Sequence, residues 1–102
     1  MLNLQWTDAQ VSTIIDQSLI YQCACPAQVC KEIIGLRQIY AYQKGCINQT
    51  DTDELVHQRI ADDVAKAHAI MEDCLHAILE LEGWDMQTLT MPEDLKKLVL
   101  KG

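Results

Sequence analysis

Apolar residues recur at three- and four-residue intervals along most of the chain, which is the period of an amphipathic α-helix. The spacing predicts helices over about residues 8–21, 26–44 and 51–82, and a short fourth helix over about 92–100. No segment alternates apolar and polar residues for long enough to predict a β-strand. We therefore expect an all-α helical bundle, in which the short link after the second helix makes the second and third helices an antiparallel hairpin.

Residues that favour helix ends stand at several of the predicted boundaries. Thr7 and Gln10 have the spacing of a capping box, in which each side chain bonds the backbone amide of the other residue. Gly45 and Gly83 follow the second and third helices, where a residue in the left-handed conformation commonly ends a helix. These signals predict where the helices begin and end independently of the apolar pattern.

The third helix carries the clearest apolar pattern. Its apolar residues follow a 4-3 heptad spacing, which predicts a seam that packs against one neighbouring helix. The residues of this seam are Ile60, Val64, Ala67, Met71, Cys74, Ile78 and Leu81. The spacing leaves open whether the neighbour is the second helix or a helix of another subunit.

The second helix is apolar on more than one side. Ile34, Ile39 and Tyr42 point in directions that one small hairpin does not cover. Most soluble homo-oligomers close as twofold dimers. We therefore expect this chain to form a homodimer, or to bind another protein through these residues.

Size and charge narrow the class of partner. A chain of 102 residues, 49% of them apolar, suffices for a single domain over residues 1–102. The formal net charge is −7, and ten of the fifteen acidic residues lie between Asp51 and Asp85. Nucleic-acid backbones and anionic membranes attract Lys and Arg, so we expect neither as a partner. The chain shows no signal-peptide pattern and no apolar run of transmembrane length, which predicts a cytoplasmic protein with reduced cysteines.

The cysteines are the most specific chemical signal in the chain. Pro26 suits the first turn of a helix, which places Cys25 at the N-cap, where unpaired amides favour a thiolate. Thiolates bind metals such as zinc or iron, so a metal or thiol-redox site is one hypothesis. Its candidate ligands are Cys23, Cys25, Cys30, Cys74 and His68. The competing interpretation is that the cysteines pack as small hydrophobic residues, since the paired C-x-x-C spacing of zinc fingers is missing.

The histidines give a weaker signal. His68, Glu72 and His76 are spaced four apart, so they share one face of the third helix. That face could hold a surface metal ion, but the acids around it favour a solvated face. His57 extends the seam and is expected to be partly buried.

No recognisable catalytic motif occurs in the chain. G-x-S-x-G, H-E-x-x-H and glycine-rich phosphate loops are all missing. An enzyme is therefore the third of three hypotheses, ranked after the two that follow. The sequence predicts a helical protein-interaction module that self-associates, and the alternative is a metal-binding or thiol-redox protein that uses the cysteine cluster.

Overall fold

The computed structural model describes residues 2–19 and 24–93, and the described chain is all-α. Its three helices are α1 (Asp8–Ser18), α2 (Cys25–Gly45) and α3 (Asp51–Glu82). No strand occurs within these described ranges, where the only β-type pairing is an isolated bridge. None of the described helices is both long and apolar enough to cross a membrane. The predicted fourth helix falls almost entirely on residues 94–100, which lie outside the described residues.

The first and last helix ends follow the predicted chemistry, and one predicted end does not. The Thr7 side chain accepts from the Gln10 amide and the Gln10 side chain accepts from the Thr7 amide, so the capping box is confirmed. Gly83 ends α3 with a left-handed backbone, at φ 79°. The prediction for Gly45 is wrong, because Gly45 is the last helical residue of α2 and the chain leaves the helix through Cys46 in an extended conformation.

The junction of α1 and α2 also differs from the prediction. The helix expected to run to about residue 21 ends at Ser18, and residues 20–23 lie outside the described residues. Ala24 occupies the N-cap of α2, because its carbonyl accepts the first helical bond, from the Gln28 amide. Cys25 therefore lies inside the first turn rather than at the N-cap.

The hydrophobic core lies where the three helices meet the segments before α1 and after α3. α1 and α3 both pack on α2, and the segment after α3 folds back over them. In that segment Trp84 and Leu89 are buried, a bridge joins Asp85 to Thr90, and the Met91 amide donates to the side chain of Gln17 in α1. The core residues are Trp6, Val11, Ile14, Cys30, Ile33, Leu75, Leu79, Trp84, Leu89 and Met91.

The buried face of α3 lies beside the predicted seam rather than on it. Its buried residues are Ala61, Val64, His68, Glu72, Leu75 and Leu79. Of the predicted seam only Val64 is on this face, and Leu81 is 86% exposed. The apolar pattern missed this face because two of its members, His68 and Glu72, are polar residues that the fold supplies with partners.

The molecule is elongated, with principal extents of 58 × 23 × 18 Å. α1 has 11 residues and α3 has 32. At 1.5 Å per residue α1 spans roughly 16 Å and α3 roughly 48 Å, so α1 covers only part of the other two helices. Near the link between α2 and α3, Gln43 of α2 lines a pocket with Glu54 and His57 of α3.

Candidate functional site

A buried carboxylate fastens the segment before α1 to the middle of α3. The Glu72 carboxylate accepts hydrogen bonds from the backbone amides of Gln5 (2.8 Å) and Trp6 (3.0 Å). The indole N–H of Trp6 donates to the Glu72 carbonyl at 3.1 Å. Trp6 is thus held at both its backbone and its side chain, and its ring enters the core.

Arg37 of α2 connects this carboxylate to α1. Its Nη2 donates to Glu72 Oε2 at 3.2 Å and to the Trp6 carbonyl, and its Nη1 donates to the Asp8 carboxylate. Its Nε donates to His68 Nε2 at 3.0 Å. The Arg37 side chain is only 12% exposed. The guanidinium therefore joins the N-terminal segment, α1 and α3 through hydrogen bonds in a setting largely closed to water.

His68 is fully enclosed beside these two residues. Its Nε2 accepts from Arg37, which has no deprotonated form at ordinary pH, so we assign the ring proton to Nδ1. Nδ1 lies 3.4 Å from Glu72 Oε1. Burial lowers the pKa of His68, and the nearby charge of Glu72 opposes that shift to a smaller extent. His68 is therefore neutral near pH 7.

The predicted surface face of His68, Glu72 and His76 is wrong for its first two members. His68 and Glu72 are 1% and 3% exposed. His76 is half-buried and pairs with Glu80 on the outside of α3. His57 is partly buried as expected, and its Nδ1 lies 2.6 Å from the Asn48 side chain.

The polar atoms of Arg37, His68 and Glu72 are engaged in hydrogen bonds and ion pairs within the protein, which limits the reactions that these residues can catalyse. The Nε2 lone pair of His68 is taken by Arg37, so it cannot accept a proton from a substrate. A groove of about 390 Å³ lies between α1 and α2 and includes Asp8, Ile34 and Arg37 in its lining. All four groups that Arg37 bonds belong to other segments of the chain, so the guanidinium holds those segments together.

The four cysteines of the described residues differ in their burial. Cys30 is buried in the core, and burial raises the pKa of its thiol to about 11, so it stays protonated near pH 7. Cys25 is exposed, whereas Cys46 and Cys74 are partly buried. Within residues 2–19 and 24–93 no three His, Cys, Asp or Glu side chains are grouped so as to hold a metal ion. Cys23 lies outside those residues, so the metal hypothesis stays a prediction, for which elemental analysis is the direct measurement.

Large apolar side chains are exposed on α2, on α3 and on their link. The most exposed are Leu4, Leu19, Ile39, Tyr42, Ile47, Leu55, Val56, Ile70 and Leu81. The expected exposure of Ile39 and Tyr42 is confirmed, at 43% and 71%, whereas Ile34 is partly buried against the core. Five of the nine lie between residues 39 and 56, on α2, on α3 and in the link between them.

Comparison with known proteins adds no relative from which a function could be carried over. No family model matches the chain, and no curated protein and no solved structure matches it. The function has to be inferred from the residues and their geometry alone.

Proposed function

We propose that this chain is a helical protein-interaction module that self-associates through α2 and α3, arranged as an antiparallel hairpin. The lining of two grooves supports that arrangement. Gln43 and Glu54, both near the link, share one groove, while Val29 and Met71, both far from it, share another. This nested order of side chains supports two helices that run in opposite directions.

Large apolar side chains are exposed on both α2 and α3, and their exposure is the main support for self-association. Tyr42 is 71% exposed on α2, Ile47 is 81% exposed in the link, and Leu55 is 72% exposed on α3. Burying apolar surface gains roughly 25 cal/mol for each Å² removed from water. A second protein surface that covered these residues would therefore stabilise the chain.

The size of the domain supports self-association in particular. Small domains bury a smaller fraction of their surface than large ones and are marginally stable alone. In this chain α1 is too short to cover α2 and α3 along their length. A second copy supplies the missing cover with the same residues, as a twofold interface requires.

Sedimentation equilibrium across the micromolar range tests the proposal. We expect a reversible species of twice the 11.6 kDa chain mass. A mass of one chain at every concentration would contradict self-association. An open series of larger species would contradict a closed twofold assembly.

A further inference from the structure

A second heptad stripe runs along the outer side of α3. Its eight positions repeat with 4-3 spacing, and seven of them are apolar. We call it the outer stripe: Val56, Ile60, Asp63, Ala67, Ile70, Cys74, Ala77 and Leu81. Leu81 and Ile70 are 86% and 67% exposed, and no residue of the stripe is buried. Heptad spacing of apolar residues is the pattern by which one helix packs along another.

The outer stripe is distinct from the face of α3 that contacts the rest of the chain. Successive residues of an α-helix are about 100° apart. On that basis the outer stripe is centred roughly a third of a turn from the buried residues such as Val64 and Leu75. Four members of the seam predicted from the sequence belong to it: Ile60, Ala67, Cys74 and Leu81. Of these four, Leu81 is the most exposed, so at its end this part of the seam is not covered by the described chain.

Charged residues flank the outer stripe at seven-residue intervals. They are Arg59, Lys66, Asp73 and Glu80, and all four are exposed. The first two are positive and the last two are negative. If a second α3 runs antiparallel to the first, this order of charges is reversed in the second helix. Each positive residue of one helix then lies beside a negative residue of the other.

We infer that two copies of this chain pair through the outer stripes of their α3 helices, which run antiparallel about a twofold axis beside Ala67 and Ile70. The inference rests on the proposed self-association and names its interface. In this register Arg59 lies opposite Glu80 of the second copy, and Lys66 lies opposite Asp73. Flanking charges of this kind set the orientation and register of paired helices.

A parallel pair of α3 helices lacks this complementarity. In a parallel pair each flanking residue faces the position five residues further along the other helix. Arg59 and Lys66 would then lie against Val64 and Met71 of the second copy. Charges beside apolar residues gain no ion pair, so the antiparallel pairing is favoured.

The polar member of the outer stripe is consistent with this register. Asp63 is paired with Arg59 of its own helix at 2.8 Å, so its charge already has a counter-charge. In the antiparallel register Asp63 lies opposite Cys74 of the second copy. A single polar residue in an apolar seam is a common means of specifying register at some cost in stability.

Charge reversal tests the ion pairs. Asp73→Lys places a lysine opposite Lys66 of the second copy, and Lys66→Glu places a glutamate opposite Asp73. Because each change acts twice in a twofold dimer, we expect each variant to raise the dimer dissociation constant about tenfold or more. An equimolar mixture of the two variants restores opposite charges at both pairs, so we expect a heterodimer of nearly wild-type affinity. Asp62→Lys, at an exposed position of α3 away from the stripe, is the matched control and should leave the affinity unchanged.

A disulfide tests the register independently of charge. Asp63→Cys brings a cysteine opposite Cys74 of the second copy, so mild oxidation should link the two chains between these positions. The two residues are eleven positions apart on one helix, roughly 16 Å, so a bond between them cannot form within a chain. Asp62→Cys is the control and should not form a bond to Cys74. Peptide mass mapping identifies the linked pair.

The two measurements separate this inference from the proposed function. A wild-type chain that is monomeric by sedimentation overturns both. A wild-type dimer that ignores both charge reversals and forms no bond from Asp63→Cys to Cys74 overturns the antiparallel α3 interface and leaves self-association standing.

Discussion

Glu72 is charged, buried and bonded to other parts of the chain on several sides. Its carboxylate holds the backbone of Gln5 and Trp6 and faces Arg37 and His68. Removing a carboxylate from water is energetically unfavourable, and the hydrogen bonds and ion pair that Glu72 forms inside the protein offset that cost. Removing the charge leaves Arg37 without its buried counter-ion and leaves the amides with a weaker acceptor.

We expect Glu72→Gln to lower the free energy of unfolding by about 3–5 kcal/mol, since breaking one side of a buried ion pair leaves the other side uncompensated. Urea unfolding followed by circular dichroism measures the change. The matched control is Glu32→Gln, at an exposed position of α2 outside the outer stripe and its flanking charges, for which a change within about 0.5 kcal/mol is expected. Equal effects of the two substitutions would show that the Glu72 cluster does not support the fold.

His68 makes the stability depend on pH in the mildly acidic range. Burial lowers the pKa of His68 below its usual 6.5. Just below that pH, His68 is therefore protonated in the unfolded chain but still neutral in the folded chain. The contribution of His68 to the free energy of unfolding is therefore complete above about pH 6.5. As the pH falls below that value the free energy of unfolding decreases, by up to about 1.4 kcal/mol per pH unit. We expect His68→Gln to reduce this slope and His76→Gln, at a half-buried position, to retain it. Unfolding measured between about pH 7 and 5 decides this, and identical slopes in all three proteins would exclude His68 as the source.

At the level of elements, local chemistry accounts for three of the six ends of the described helices. The Thr7–Gln10 capping box begins α1, Thr50 accepts the Asp53 amide at the start of α3, and Gly83 ends α3. The Gly45 prediction failed because an extended residue, Cys46, can also lead a chain out of a helix. A glycine after a helix is thus a signal for its end without fixing the conformation there.

Two glycine substitutions should change stability in opposite directions. Gly83 has a left-handed backbone, so Gly83→Ala is expected to cost about 1–2 kcal/mol. Gly35 lies inside α2 with open space where a Cβ would stand, so Gly35→Ala is expected to stabilise by about 0.5–1 kcal/mol. Thermal unfolding of both variants gives the signs. A stabilising Gly83→Ala would mean that the chain leaves α3 in another conformation.

In α3 the apolar spacing predicts the bounds of the helix but not which of its faces is buried. The predicted bounds, 51–82, agree with the helix observed, Asp51–Glu82. The predicted seam does not coincide with its buried face, because α3 has two apolar surfaces that merge along one side. Met71 and Ile78 lie between those surfaces and are partly buried. A heptad count selects the best run of apolar residues and cannot divide that run between two neighbours.

At the scale of the whole molecule, the core cluster is built from parts of α2 and α3 that lie away from the link between them. The core combines Trp6 with residues of all three helices and with Trp84 of the segment after α3. Large apolar side chains are exposed near the link, at Tyr42, and also beside the core, at Ile70 and Leu81. The described chain therefore leaves apolar surface exposed along its helices, and the proposed self-association would bury part of that surface.

Local patterns in the sequence were enough to predict that there are three described helices, that a capping box begins α1 and that a left-handed residue ends α3. These features depend on interactions between residues a few positions apart, which a linear pattern records. The buried face of α3, and the place of His68 and Glu72 on it, depend instead on the tertiary fold. Their partners are distant in sequence: Arg37 is 31 residues from His68, and Trp6 is 66 residues from Glu72. A polar residue is stable inside a protein only when the fold brings it such partners, and no local pattern reports that they will meet.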